Sequence, residues 1–299
     1  LFGADTVSGS DSYVKVDSDP KVYTVSTSNK TSFEKTAADF RDKRLMTLNS
    51  DKITSVSLAG KGPAVEFSKN AGGDWQIVKP KPYRADASTV EDLVTKMKDA
   101  KMDLATPVTA AQFTAATKIG SATLTDDKGA QTLEIRKAKD DYYAKSSIVD
   151  GFYKVAADTG KAADKGLDDF RNKKLFDFGF TDPSKVEIGG KLYEKSGDKW
   201  FNAKTEIDSS SIQSVIDKLR DLNSTKFLEK ASGSPAVTAS VTWGDKGKVD
   251  KVTISKSGSD YTASRDGDQT GYALDAKAVD DLNQAIDRKS TRLNSSHIP

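Results

Sequence analysis

The sequence predicts an α+β fold, built as tandem repeats of antiparallel β-sheet with one amphipathic helix per unit. Three observations predict it: a charged segment that returns with its neighbours in order, short apolar runs punctuated by Gly- and Asp-rich turns, and one strongly periodic helical stretch in each unit. The repeat is clearest in the box Asp39-Phe40-Arg41-Asp42-Lys43-Arg44-Leu45, which returns as Asp169-Phe170-Arg171-Asn172-Lys173-Lys174-Leu175. Downstream, Gly73-Asp74-Trp75 returns as Gly197-Asp198-Lys199-Trp200, and Ser88-Thr89-Val90-Glu91 returns as Ser210-Ser211-Ile212-Gln213.

Each unit begins with a polar helical segment that ends in the box. Strands are expected at residues 53–58, 64–69 and 75–78, with Gly72-Gly73-Asp74 as the hairpin turn, because Gly supplies the positive φ a tight turn needs. After Lys79-Pro80-Lys81-Pro82 comes the amphipathic helix. Val90, Leu93, Val94 and Met97 fall on one face, and Ser88 with Glu91 is the expected capping box. In the second unit Ile212, Val215, Ile216 and Leu219 form the face, and Ser210 with Gln213 the cap. Two further hairpins close each unit. Residues 122–125 and 133–137 flank Asp127-Lys128-Gly129; residues 241–243 and 252–255 flank Asp245-Lys246-Gly247. The last hairpin occurs three times, at residues 13–23, 143–153 and 261–272, each bounded by tyrosines expected to pair across it.

On this reading residues 1–25 are the end of a preceding unit, 26–155 and 156–273 are two whole units, and 274–286 start a third. The opening on Leu1, inside a strand-and-turn pattern, points to an internal piece of a longer gene whose sequence continues with another Asp-Phe-Arg box. Residues 287–299 are set aside as a non-native tail, since the run from Asp287 to His297 matches the translation of a common sequencing adapter.

Composition narrows the chemistry. The 299 residues suffice for two ordinary domains. With no Cys, disulfides, Cys-ligated zinc, iron–sulfur clusters and thiol catalysis are excluded. Setting the tail aside removes His297, the one His, and with it the commonest general base and metal ligand. It also balances the 46 basic against the 44 acidic residues, because Arg288, Lys289 and Arg292 go with Asp287. No basic stripe remains for nucleic acid. No stretch reaches the roughly 18 apolar residues of a membrane span.

Few motifs suggest chemistry. Asp266-Gly267-Asp268-Gln269-Thr270-Gly271 resembles half a calcium loop, but Lys277 stands where the twelfth-position Glu belongs, so a plain turn is expected. Ser196-Gly197-Asp198-Lys199 has the Ser-x-x-Lys form on a turn, without a Lys-Thr-Gly. No P-loop is present. The tyrosines Tyr142, Tyr143, Tyr153, Tyr261 and Tyr272, with Phe152, could form a stacking platform, but hairpin packing is the expectation. The candidate structural or partner-contact residues are therefore Asp39, Phe40, Arg41 and Lys43, their counterparts Asp169, Phe170, Arg171 and Lys173, and the recurring Trp75 and Trp200. At a helix end the Arg would satisfy terminal carbonyls and pair with the Asp, while Phe40 or Phe170 and Leu45 or Leu175 anchor the segment in the core.

The combination of Leu1-x-Gly3, Tyr13-Val14-Lys15-Val16, Val22-Tyr23-x-Val25, the Asp39 box, Gly73-x-Trp75 and Pro80 before an Asp86-capped helix resembles the bacterial domain of unknown function 4340 family, over roughly residues 1–286. The resemblance implies an extracytoplasmic protein tethered to the inner membrane by an N-terminal helix, encoded beside ABC-2 type permeases, ATPases and gliding-motility-like auxiliary proteins. The sequence departs from that pattern in lacking the helix. It implies no catalytic residues and no cofactor. The expected function is a non-enzymatic auxiliary or scaffold protein of an ABC-type transport system. Its partners would be proteins of a membrane transport complex, with no nucleic acid, and with membrane contact only through the missing anchor. The alternative is a cell-envelope module that binds polysaccharide or peptide through aromatic-lined strands. A carboxylate-pair hydrolase is a distant third.

Overall fold

The computed structural model describes residues 1–295; the end of the adapter-like tail, including His297, lies outside the described residues. The chain opens with β1 (Phe2–Asp5), β2 (Asp11–Lys15) and β3 (Val22–Ser26), followed by α1 (Thr27–Phe33) and α2 (Ala37–Phe40). Then come β4 (Ser55–Ala59), β5 (Val65–Lys69), β6 (Trp75–Lys79), β7 (Tyr83–Arg84) and α3 (Ala87–Lys98). The first round closes with β8 (Asp103–Pro107), α4 (Ala110–Ala115), β9 (Thr117–Asp126), β10 (Gly129–Ala138), β11 (Asp141–Ser146) and β12 (Tyr153–Val155). The second round opens with α5 (Ala157–Ala163), α6 (Leu167–Phe170), β13 (Pro183–Ile188), β14 (Lys191–Ser196), β15 (Lys199–Asn202) and β16 (Thr205–Ile207). It continues with α7 (Ser209–Arg220), β17 (Ser224–Leu228), β18 (Ser234–Trp243), β19 (Lys248–Ser257), β20 (Asp260–Arg265) and β21 (Gly271–Leu274), and α8 (Ala276–Ser295) follows. This is an α+β protein of repeated antiparallel sheet units, as the pattern predicts. Each round also holds helices of four to seven residues, too short for periodicity to mark.

By compactness the chain divides into two units, Leu1–Gly60 with Leu93–Asp164, and Lys61–Asp92 with Lys165–Pro299. In the first, β1-β2-β3 form a small sheet, and a larger one runs β4-β9-β10-β11-β12-β8. In the second, β7-β6-β5 run side by side, and a nine-stranded sheet runs β16-β15-β14-β13-β18-β19-β20-β21-β17. Strand by strand, β4, β9 to β12 and β8 answer to β13, β18 to β21 and β17, while β5 to β7 answer to β14 to β16. Register makes the match exact in side-chain terms: Val56 lies opposite Leu124 where Val186 lies opposite Val241, and Leu133 opposite Ser146 where Val252 lies opposite Arg265.

Alternation explains the long hairpins. Along β9 every second residue from Gly120 to Asp126 is buried, so one face closes on the core. The turn before β6 forms because the Asn70 side chain accepts the Gly72 and Asp74 amides at 2.8 and 3.0 Å, while Gly73 takes φ 87°. In the first unit Leu45, Met46, Leu58, Leu93, Leu124 and Ile135 are buried together with Phe113. Helix α5 reaches the sheet through small residues; a Cβ on Gly160 would lie 1.9 Å from the Tyr142 ring. In the second unit Phe176, Phe178, Ile188, Val241 and Ile254 pack with Ile212, Val215, Ile216 and Leu219 of α7 and with Val279 and Leu282 of α8.

Two local expectations are corrected. The amphipathic faces form, with Val90, Leu93 and Met97 buried on α3 and Val94 half-buried, but the caps sit earlier than Ser88 and Ser210. The Asp86 carboxylate accepts the Thr89 amide at 2.9 Å, and Asp208 accepts the Ser210 and Ser211 amides at 3.3 and 3.1 Å. A carboxylate at the positive helix end outcompetes a hydroxyl two residues further in, and Ser88 and Ser210 instead donate to it at 2.6 Å. The Ser210 and Ser211 hydroxyls, and after them the two amides, hold the Asp208 carboxyl down at about 2. The bounding tyrosines do not lie directly opposite one another. Val14 faces Tyr23, Ala144 faces Tyr153 and Ala263 faces Tyr272, so the recurring cross-strand pair is a smaller residue with a tyrosine.

Candidate functional site

The second box is built from a single turn of helix. Asp169 accepts the Gly166 amide at 2.7 Å and so caps α6, rather than pairing with Arg171. After Phe170 the chain extends and runs beside β7. The Asp86 amide donates to the Phe170 carbonyl at 2.7 Å, the Asn172 amide donates to the Arg84 carbonyl at 2.9 Å, and Arg171 bridges Ala85. Phe170 is fully buried, edge-on to Phe67 at 4.9 Å. The Arg171 guanidinium, 9% exposed, lies between the rings of Tyr83 and Phe227, 4.1 and 3.8 Å from their centroids. Its nitrogens donate to Asp168 at 3.1 Å and to Thr270 at 3.0 Å. Lys173 contributes its main chain, whose carbonyl accepts the Ser224 amide at 2.8 Å.

Beyond the box a polar clamp holds the segment to the sheet. Asp250 accepts the Asp177 amide at 2.7 Å and the Trp243 indole N–H at 3.0 Å. Arg265 donates to Asp250 at 2.9 Å, to Asp177 at 3.0 Å and to the Leu175 carbonyl. Arg84 pairs with Asp177, donates to the Lys174 carbonyl at 2.9 Å, and approaches the Tyr272 hydroxyl at 3.4 Å. Burial, then the hydrogen bond it donates to Asp268, pushes the Tyr272 phenol up to about 12. Burial would raise the Asp268 carboxyl, but the bonds from Tyr272 and Thr270 outweigh it and leave it lowered. For Arg84, burial works against the charged form, but the Asp177 charge, Tyr272 and the hydrogen bonds to both together outweigh it, so its pKa is raised.

The first box repeats this geometry with other groups. Asp39 accepts the Thr36 amide at 2.7 Å. The Lys43 carbonyl accepts the Met102 amide at 2.8 Å, as Lys173 does with Ser224. Gln131 accepts the Thr47 amide at 2.8 Å at the position of Asp250, and Ser146 donates to the Leu45 carbonyl at 2.6 Å at the position of Arg265. One expectation fails here. Leu45, Leu175 and Phe170 are anchored in the core, but Phe40 is 78% exposed. Arg41 is exposed too and makes no hydrogen bond or ion pair among the described residues. Among the described residues nothing takes the place that Tyr83, Arg84 and Asp86 take on the second box. The expected pairings of Arg41 with Asp39 and of Arg171 with Asp169 do not form among the described residues: Arg171 turns to Asp168, and within the first box it is Arg44 that binds Asp42, its fork holding that carboxyl down at about 2.

Trp75 and Trp200 occupy matching buried positions on β6 and β15, 5% and 4% exposed, and the Lys69 ammonium lies 5.1 Å from the Trp75 ring. In the calcium-like loop Asp268 receives Tyr272 and the Thr270 amide, and Asp266 lies 3.7 Å from Lys251. Among the described residues no group of three acidic or His side chains could hold a metal. A pocket of about 330 Å³ lies beside Lys101, Met102, Asp103, Lys154, Val155 and Ala156. Its carboxylate is already bound: Asp103 accepts the Ala105 amide at 2.8 Å and the Thr106 hydroxyl at 2.9 Å. No helix is long and apolar enough to cross a membrane, which says nothing of a β-barrel.

The clamp residues escape a repeat search because positions recur while residue types drift: Gln131 against Asp250, Ser146 against Arg265, Tyr83-Arg84 against Thr205-Glu206. The Asp before each amphipathic helix was the available signal for the edge that meets the box. Fold and site together define an α+β protein of repeated antiparallel sheets fastened at a recurring Asp-Phe-Arg box. The family model described as a domain of unknown function, DUF4340, matches residues 1–74 and 75–240, and the chain belongs to that family. Nothing among the curated proteins or the solved structures matches the chain.

Proposed function

We propose that this chain is a non-enzymatic, extracytoplasmic auxiliary or scaffold protein of an ABC-type transport system, tethered to the inner membrane in its full-length form. One observation carries the reading: the ionisable groups gathered at the second box bond to one another and to main-chain carbonyls. Arg84, Asp177, Asp250 and Arg265 close on each other, and Arg171 lies between two rings. Such a cluster holds elements in place. It presents neither a nucleophile beside a base nor two carboxylates facing across a cleft. The transport system enters through the family resemblance. The rival reading, an envelope-binding module, needs aromatic rings lined along one exposed face. Tyr13 and Tyr23 occupy adjacent registers and so point to opposite faces of their hairpin, while Tyr142, Tyr261 and Tyr272 are buried.

The test is purification of the full-length protein from its native membrane in mild detergent, with identification of what accompanies it. Co-purification of the neighbouring permease and ATPase in fixed proportion is the expected result. Isolation free of both, with binding on a polysaccharide or peptide array, overturns the scaffold reading.

A further inference from the structure

The chain has two Asp-Gly dipeptides, Asp150-Gly151 between β11 and β12 and Asp266-Gly267 between β20 and β21. Where glycine follows aspartate, no Cβ shields the next main-chain nitrogen, which has room to attack the side-chain carboxyl and close a five-membered ring. Three conditions favour that closure: an untethered carboxyl, an amide engaged in no other bond, and a donor to stabilise the charge that builds as the amide proton leaves. Asp150 meets all three. Asp150 and Gly151 are exposed, and among the described residues the Asp150 carboxylate has no hydrogen bond or ion pair and the Gly151 amide has no acceptor. The Tyr153 hydroxyl donates to the Asp150 carbonyl at 2.6 Å. That carbonyl is conjugated with the Gly151 nitrogen, so the bond stabilises the negative charge that delocalises onto oxygen. Gly151 also takes φ 103°, and a Cβ there would lie 3.1 Å from the same hydroxyl, so glycine is favoured on both counts. The second dipeptide is held differently. The Lys251 ammonium lies 3.7 Å from the Asp266 carboxylate, the Asp266 amide is fixed on the Lys251 carbonyl at 3.0 Å, and among the described residues nothing donates to the Asp266 carbonyl.

We infer that Asp150 is a site of self-modification, where the chain converts an aspartyl into an isoaspartyl link with the Tyr153 hydroxyl as promoter. The Gly151 nitrogen attacks Cγ of the Asp150 carboxyl in its acid form. The N–Cγ bond forms, the Cγ–OH bond breaks, and the hydroxyl departs with the amide proton as water. Water then opens the succinimide. Cleavage between nitrogen and Cγ restores aspartate; cleavage between nitrogen and the main-chain carbonyl carbon leaves the chain running through Cγ, with the α-carboxylate as its side group. The sum is an isomerisation that needs no cofactor. It adds a methylene to the main chain just before β12, a three-residue strand whose Tyr153 pairs with Ala144 on one side and Pro107 on the other. Pairing on both sides of β12 therefore loosens in the product.

Incubation of the whole chain for several weeks at mildly acidic pH, then peptide mapping by electron-transfer dissociation, tests this. Isoaspartate should accumulate at Asp150 well ahead of Asp266, and incubation in heavy-oxygen water should leave one labelled oxygen in the Asp150 peptide. Tyr153→Phe should slow conversion at Asp150 severalfold and leave Asp266 unchanged. Asp150→Glu should abolish conversion in that peptide with the melting temperature unmoved, since the side chain is exposed. No isoaspartate at Asp150, equal accumulation at the two dipeptides, or a Tyr153→Phe rate at Asp150 no lower than that of the parent chain would each overturn the proposal.

Discussion

Arg41 and Arg171 each follow an Asp-Phe pair and have opposite surroundings in space. Arg171 is held between Tyr83 and Phe227 with its nitrogens on Asp168 and Thr270, whereas Arg41 extends into solvent. A planar guanidinium stacks where an ammonium cannot. Arg171→Lys should therefore lower stability by about 2 kcal/mol, and Arg41→Lys should stay within about 0.5 kcal/mol, as read from urea unfolding. A second residue-scale prediction concerns Tyr272, whose phenol is pushed up from 10.0 to about 12 by burial and by Asp268. The folded state then holds its proton more tightly than the unfolded chain. The stabilisation is complete below pH 10 and is lost as pH rises through about 12. Between those limits the native protein should lose about 2 kcal/mol more stability than Tyr272→Phe, measured by denaturant titration at stepped pH.

At the scale of elements, the contact of α5 with its sheet depends on the missing side chain of Gly160, over which the Tyr142 ring lies. Gly160→Ala forces the ring or the helix to shift. The expected loss is about 1–3 kcal/mol, visible as a lower urea midpoint and renewed exposure of the Tyr142 region to hydrogen exchange. Strands, turns and amphipathic helices were legible in the sequence because each follows from a local period or a turn residue: β9 from its alternation, the β5–β6 turn from Gly73, α7 from Ile212 and its partners. The capping boxes expected at Ser88 and Ser210 lose to carboxylates two residues earlier, Asp86, which the family pattern already placed as a cap, and Asp208. The fate of Phe40 was not legible at all. Two boxes that share Asp-Phe-Arg cannot reveal that, among the described residues, Tyr83 to Asp86 meets one and no such edge meets the other, since that difference lies in pairing between distant segments. The clamp was hidden for a related reason: the sheet needs a polar side chain opposite the Thr47 or Asp177 amide, and Gln131 and Asp250 serve equally.

For the whole molecule, protection should follow position within the strand order. Strands β9, β10, β18 and β19 have paired neighbours on both sides and carry the buried alternation. Strands β7, β8, β16 and β17 end their runs. Hydrogen exchange followed by mass spectrometry should show the first group exchanging last and the second group first. Faster exchange in β9 or β18 than in β8 or β17 would contradict the strand order described here.

The position of β8 also bears on how the chain is made. Pro107 pairs with Tyr153 and Asp103 with Lys154, so among the described residues β8 has its one neighbouring strand in β12, which leaves the ribosome after β9, β10 and β11. At about 5–20 residues per second, β8 spends on the order of several seconds outside the exit tunnel with nothing to pair with. Its sequence, Asp-Leu-Ala-Thr-Pro, suits that interval, because a proline removes an amide that another nascent chain could use as a template. β17 waits in the same way for β21, and there Lys226 supplies the charge that keeps a bare edge from pairing with the wrong chain.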